Sequence, residues 1–210
     1  MRLATLVLAT VVSQSGLAGP EYDLESRLVN NWKSEAISHL IITEQQLERH
    51  KTVRCMKLNN YWCLKDFGWK GRLGKDSDHH TAFKTGFWAA RAIVRNTRTA
   101  YIRRKRKSAF QIMEAYAPPR DCVGSKAATR RDGSCIYGRN PVHLYAKSVI
   151  EGITNDVSAE LKLFDEKGDA TEAPVTFLQN LSSFEVGGRR VRESTIRRGI
   201  CMETGACPHP

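Results

Sequence analysis

The stretch from residue 83 to residue 119, FKTGFWAARAIVRNTRTAYIRRKRKSAFQIMEAYAPP, decides the fold. Thr85 is a residue type that caps helices, and apolar residues follow it at helical spacing. A cationic run, RRKRK at residues 103–107, precedes a second apolar helical segment, and Pro118-Pro119 ends that segment. We therefore expect a long helix, a basic turn and a shorter helix at the centre of the domain.

Further elements are predicted on both sides of this stretch. Residues 69–83 predict a small β-hairpin, because glycines and a polar turn separate two short strands. Apolar spacing predicts one helix at residues 31–49 and another at residues 142–154. The expected fold class is mainly α with a small β-hairpin.

The C-terminal part is patterned more weakly. Residues 165–174, DEKGDATEAP, are typical of a linker, and residues 175–186 are interpreted as one strand or a pair of strands. The remaining residues form a basic segment with a small cysteine loop. We expect one domain at residues 19–164 and, at residues 165–210, a linker and a basic, partly irregular, Cys-containing tail.

The N-terminus has the composition of a signal peptide at residues 1–18. Arg2 precedes an apolar run from Leu3 to Val12, and a small-residue cleavage site ends at Ala18. A buried N-terminal helix is the alternative interpretation. No later run approaches the roughly 18 apolar residues that a membrane span needs, so no transmembrane segment is expected. These features predict a monomeric protein that is periplasmic or secreted.

Six cysteines fit an exported protein, because disulfides persist in oxidising compartments. No CxxC spacing occurs and no histidine stands at zinc-finger spacing, so we expect disulfides rather than zinc and no cofactor. Three close groups along the chain favour local bridges over the other connectivities: Cys55–Cys63, Cys122–Cys135 and Cys201–Cys207.

The formal net charge of +11 indicates an anionic partner. Nucleic acid, anionic lipid headgroups and anionic wall polymers all fit this charge, and export makes nucleic acid the least natural of them. The run at residues 103–107 is interpreted either as a solvated turn or as a surface for polyanions.

Two glutamates in the predicted first helix are candidate general acids. Glu44 and Glu48 lie one helical turn apart, at the end of the apolar side that carries Ile37 and Ile41. Burial at such a position raises the pKa of a carboxyl group, as proton donation requires. The alternative is a solvated helix edge.

The hairpin tip carries Asp76, Asp78, His79 and His80. Carboxylates and imidazoles together raise the hypothesis of a metal site. Adjacent histidines on a strand point to opposite faces, however, and the other positions of a calcium-binding loop are missing. We therefore interpret the cluster as a polar turn beside a cleft, with no metal.

The order of elements and several short strings resemble phage-type muramidase-like proteins of the lysozyme superfamily, a family with exported bacterial relatives. Residues 69–150 carry the resemblance. The shared strings in the hairpin and the long helix are Trp69-Lys70-Gly71, then Phe83, Thr85 and Arg91-Ala92. The others are Tyr116-Ala117-Pro118-Pro119 at the end of the shorter helix, Asn140-Pro141 with Tyr145 and Val149 in the closing helix, and Asn59-Asn60 in an earlier turn.

The resemblance implies a lysozyme-like fold that cleaves peptidoglycan glycan strands, as a muramidase or a lytic transglycosylase. Glu48 or Glu44 would be the acid, and Asp78 or Asp76 a second carboxylate. Trp62, expected to be exposed or half-buried like Tyr61, would be a sugar platform. The full set of predicted substrate-binding residues is Asn59, Asn60, Trp62, Trp69 and Tyr101.

Two further functions remain open from the sequence. One is a non-catalytic peptidoglycan-binding or secretion-associated envelope protein, with another envelope protein as a candidate partner. The other is a basic disulfide-bonded protein that binds a protein or anionic lipid through residues 103–107.

Overall fold

The computed structural model describes residues 53–76, 78–123 and 129–207. The predicted signal peptide, the predicted helix at residues 31–49 and both of its glutamates lie outside these residues. The described elements, in chain order, are α1 (Arg54–Lys57), β1 (Arg72–Lys75), β2 (Thr81–Phe83), α2 (Gly86–Arg98), a π-helical segment (Thr99–Arg103), α3 (Ala109–Tyr116), α4 (Val142–Val149), α5 (Ala173–Glu185) and α6 (Glu193–Thr204).

The described residues are therefore mainly helical with one small hairpin, as the sequence predicts. In the hairpin, β1 and β2 pair antiparallel, with Gly74 opposite Ala82 and Lys75 opposite Thr81. Gly71 has a φ of 77°, and a Cβ on it would lie 2.1 Å from Cγ of Trp88. A glycine is thus required where the hairpin contacts α2.

Helix α2 is the centre of the packing. Thr85 is its N-cap residue in extended conformation, although its side chain makes no capping hydrogen bond. Ile93 and Val94 are fully buried, and α2 packs most extensively against α6. Helix α3 begins with a capping box between Ser108 and Gln111.

The prediction of one strand or a pair of strands at residues 175–186 is wrong. Residues 175–185 lie in α5, whose Phe177, Leu178 and Leu181 are fully buried. Within the segment predicted as a partly irregular tail, residues 193–204 form α6. The apolar core is continuous from Met56 to Ile200. The pattern concealed α5 because neighbouring segments cover much of its surface and leave no clear apolar stripe.

All three predicted disulfides are confirmed: Cys55–Cys63, Cys122–Cys135 and Cys201–Cys207. Disulfides of this number fit an oxidising compartment. No helix in the described ranges has the length and apolar character needed to cross a bilayer.

The contact between α2 and α6 generates the first testable prediction. A Cβ on Gly199 would lie 2.6 Å from Cβ of Ala90 and 2.7 Å from its carbonyl carbon. Gly199→Ala would raise stability by about 1 kcal/mol if helix propensity decided the outcome. We expect instead a loss of about 1–3 kcal/mol, because backbone atoms cannot make room for a methyl group.

Urea unfolding followed by circular dichroism measures this change. Ser194→Ala, on the exposed surface of the same helix, is the matched control and should change stability by no more than about 0.5 kcal/mol. A stabilised Gly199→Ala variant would contradict close packing of α6 on α2.

Candidate active site

The strongest candidate for acid chemistry is a carboxyl group at the end of α5. Glu185 is the last residue of this helix and is only partly accessible to solvent. The Tyr116 hydroxyl lies 3.1 Å from Glu185 Oε1, and Tyr145 also hydrogen-bonds the carboxyl group. Helices α3, α4 and α5 each supply one member of this acid cluster, which we define as Glu185, Tyr116 and Tyr145.

The hydrogen bonds of Tyr116 join Glu185 to Trp62. The Tyr116 hydroxyl also makes a close hydrogen bond to the Trp62 carbonyl oxygen, which can only accept. Tyr116 has one proton for two acceptors, the Trp62 carbonyl oxygen and Glu185 Oε1. Its donation to Glu185 stabilises the carboxylate and acts to lower the pKa of Glu185.

Burial raises the pKa of Glu185 to about 7. Hydrogen bonds from Tyr116 and Tyr145 and the charge of Lys65 act in the opposite direction but are outweighed. The C-terminal end of a helix also disfavours a negative charge. Burial, followed by the charge of Glu185, raises the pKa of both tyrosines well above the ordinary range. The acid cluster can therefore hold a transferable proton near neutral pH.

Lys65 connects the acid cluster with the hairpin. Its Nζ donates a hydrogen bond to the Asp78 carbonyl oxygen at 2.8 Å, and its charge acts on Glu185. Burial lowers the pKa of Lys65, while the charges of Asp78 and Asp76 act to raise it. The charge of Lys65 therefore acts both on Glu185 in the acid cluster and on Asp76 and Asp78 in the hairpin turn.

At the hairpin tip, Arg54 contacts Asp76, Asp78 and His80. Its guanidinium forms ion pairs with Asp76 at 3.2 Å and, more closely, with Asp78, and it lies 3.0 Å from Nδ1 of His80. Asp76 Oδ1 accepts the backbone N–H groups of Asp78 and His80 at 3.0 and 2.7 Å. These contacts fix the conformation of the turn.

Burial acts to raise the pKa of Asp76, but hydrogen bonds from His80 and the charge of Arg54 hold it below its ordinary value. Asp76 is therefore an anion, unlike Glu185. Across the described ranges, no group of three or more His, Cys, Asp or Glu side chains is arranged to hold a metal ion.

Aromatic side chains are accessible beside Lys65. Trp69 is half-buried and donates its indole N–H to the Lys65 carbonyl oxygen at 2.8 Å. Its ring meets the edge of Phe67, which is 80% exposed, at a centroid distance of 6.1 Å. The predicted sugar platform at Trp69 thus keeps an accessible aromatic surface.

A second apolar surface adjoins the acid cluster. Phe184 packs on Tyr145 with ring centroids 4.2 Å apart. Phe184 also borders a groove of about 520 Å³, together with Leu144, Ile150 and Glu151. The groove follows α4 and the loop after it, and Phe184 is the residue of α5 that lines it.

The other predicted substrate-binding residues lie in the interior. The expectation that Tyr61 and Trp62 are exposed or half-buried is wrong, because both are fully buried. The Trp62 indole N–H donates to the Leu178 carbonyl oxygen at 2.9 Å. With no accessible face, Trp62 cannot stack on a sugar in this structure.

Asn59, Asn60 and Tyr101 are also buried and bind backbone rather than an open cleft. Asn60 Nδ2 donates to the carbonyl oxygens of Leu64 and Thr81 at 2.8 and 2.9 Å, which joins the cysteine loop to β2. Asn59 Nδ2 donates to the carbonyl oxygen of Phe83 at 3.2 Å, and the Tyr101 hydroxyl donates to that of Leu161. These side chains therefore have a structural role, because each holds backbone segments together.

Of the predicted catalytic residues, Glu44 and Glu48 lie outside the described residues, and Asp78 lies in the hairpin turn paired with Arg54. Sequence reasoning missed Glu185, because residues 175–186 were interpreted as a strand. A signal was present: Phe177, Leu181 and Glu185 follow one another at intervals of four and lie along one side of a helix.

Comparison with known proteins gives no family. No protein-family model matches this chain, and no curated protein matches it. The function is therefore argued from the geometry of the site.

The raised pKa of Glu185 predicts a pH dependence of stability. A carboxyl group with a folded-state pKa of about 7 and an ordinary unfolded value near 4.5 binds its proton more tightly when folded. Its contribution is fully present below the unfolded pKa and is lost as pH rises through the folded one. Between pH 5 and pH 8 we expect the wild type to lose about 2 kcal/mol that Glu185→Gln retains.

Urea unfolding at both pH values measures the difference between the two proteins. Glu166→Gln removes an exposed carboxylate and is the control, with a pH response like that of the wild type. Parallel responses of wild type and Glu185→Gln would show that the carboxyl group is not held protonated.

Proposed function

We propose that this chain is a lysozyme-like, peptidoglycan-cleaving glycoside hydrolase of the cell envelope, with Glu185 as the general acid. The observation that carries the proposal is the position of the Glu185 carboxyl group between Tyr116 and Tyr145 at the end of α5, where burial raises its pKa to about 7. A general acid that donates to a glycosidic oxygen needs this property. The sequence resemblance supplies the substrate class.

In the proposed reaction, Glu185 gives its proton to the leaving glycosidic oxygen as the bond to the anomeric carbon breaks. Tyr116 and Tyr145 hydrogen-bond the Glu185 carboxyl group and hold it in position for the transfer. After transfer the carboxylate is stabilised by the charge of Lys65.

Asp78 is the proposed second carboxylate, which stabilises positive charge on the sugar or orients water. Support comes from Lys65, which binds the Asp78 backbone and acts electrically on Glu185. Asp78 is held in place by Arg54, so its position is fixed before substrate binds.

Substrate contacts are assigned to the accessible aromatic residues. Trp69 and Phe67 offer faces for apolar sugar C–H groups on the Lys65 side, and Phe184 offers another beside the groove. Trp69 is the residue of this set that the sequence also predicts.

Zymography on purified peptidoglycan tests the proposal. We expect Glu185→Gln to reduce clearing at least 100-fold, since a general acid contributes about 10²–10⁴-fold. We also expect wild-type clearing to decline above pH 7, as the acid loses its proton. The predicted stability of Glu185→Gln at high pH separates this loss from unfolding.

Glu166→Gln is the matched control and should clear like the wild type. Glu44→Gln and Glu48→Gln test the acids predicted from the sequence. If either of these variants fails to clear peptidoglycan while Glu185→Gln remains fully active, the assignment of Glu185 is wrong and the general acid lies in the first predicted helix. A wild type that pellets with sacculi but clears nothing would make the chain a non-catalytic binding protein.

A further inference from the structure

The basic turn, defined as residues 103–107, is a cluster of uncompensated positive charge. Arg103, Arg104 and Lys105 are exposed. Within the described part of the chain, none of these three forms an ion pair. Elsewhere in the same part, Arg54, Arg91 and other arginines pair with carboxylates.

The backbone holds these charges close together. The turn follows the π-helical segment, and such segments occur often at functional sites. Arg104 N–H donates to the Thr99 carbonyl oxygen at 3.1 Å, and Arg106 N–H donates to that of Ala100 at 3.0 Å. Lys105 has a φ of 55°, which turns the chain sharply. The result is a compact turn held by backbone hydrogen bonds rather than an extended stripe.

Arg106 adds an unusual polar group. One terminal nitrogen of its guanidinium, Nη1, is buried and has no hydrogen-bond partner among the described residues. That nitrogen faces the interior, but the side chain as a whole is half-buried and adds a fourth positive charge to the three exposed ones.

The basic turn offers no accessible ring of Tyr101 on which a nucleic-acid base could stack, because this residue is buried beneath Lys107. The Lys107 Nζ lies 3.6 Å from the centre of the Tyr101 ring, which is only 2% exposed. Single-stranded nucleic acids bind by stacking bases on accessible aromatic rings along a charged groove. The basic turn has neither feature.

We propose that the basic turn is a binding site for the phosphate groups of an anionic lipid surface. Arginine forks bind phosphate oxygens in pairs, and three consecutive exposed cations on one compact turn can contact several headgroups at once. A polymer chain would contact such a turn over only a short length. This site is independent of the acid cluster and does not rest on the proposed function.

Sedimentation with lipid vesicles tests the site. The probe is phosphatidylcholine vesicles containing phosphatidylglycerol, with pure phosphatidylcholine vesicles and vesicles of equal charge containing oleate as the other arms. We expect wild-type protein to bind the phosphatidylglycerol vesicles best, and binding to fall with rising sodium chloride.

The test variant is Arg103→Gln/Arg104→Gln/Lys105→Gln. Its partition should fall on the order of a hundredfold, from about fivefold for each basic residue near the surface. The matched control, Lys70→Gln/Lys162→Gln/Lys167→Gln, removes the same charge from exposed positions elsewhere and should bind nearly as the wild type. Arg106→Lys keeps the charge but loses the fork, and should weaken binding severalfold.

Equal loss in the two triple variants would show that net charge alone draws the protein to vesicles and would overturn the site. Equal wild-type binding to oleate and phosphatidylglycerol vesicles would overturn recognition of phosphate. Binding to sacculi that depends on the basic turn, without binding to vesicles, would assign the turn to a wall polymer and overturn the lipid proposal.

Discussion

The burial of Trp62 is the constraint on which the rest of the arrangement depends. Its indole N–H binds the Leu178 carbonyl oxygen in α5, and its own carbonyl oxygen binds the hydroxyl of Tyr116 at the end of α3. Residues far apart in sequence are thus joined at one residue. Tyr116 is fixed in this way and lies 3.1 Å from Glu185 Oε1, to which its hydroxyl hydrogen-bonds.

The two carboxyl sites show how differently the protein treats the same chemical group. Asp76 receives backbone N–H groups and a guanidinium, so its charge is stabilised and its pKa is lowered. Glu185 has tyrosines as close neighbours and a helix end behind it, so burial dominates and its pKa is raised. Lys65 lies within electrical reach of both, which makes the pair a candidate for acid chemistry beside a fixed anion.

Local signals in the sequence predicted local structure well. The hairpin, the helices within residues 83–119 and the three short-range disulfides each depend on neighbouring residues, and all were predicted. The site was harder to predict because burial depends on contacts between distant segments. Trp62 is a residue type that often stacks on sugars, but in this fold α5 covers its side chain. Glu185 was concealed because a helix buried along much of its surface has no clear apolar stripe.

The place of α6 in the chain bears on how the protein folds. Gly199 lies against Ala90 of α2, so the helix at the centre of the core is covered by a segment far from it in sequence. The disulfides, in contrast, join cysteines separated by 8, 13 and 6 residues. Covalent closure is therefore local, while completion of the core depends on a long-range contact. Because such a contact costs loop-closure entropy before it stabilises the chain, we expect the docking of α6 on α2 to be a slow step of folding.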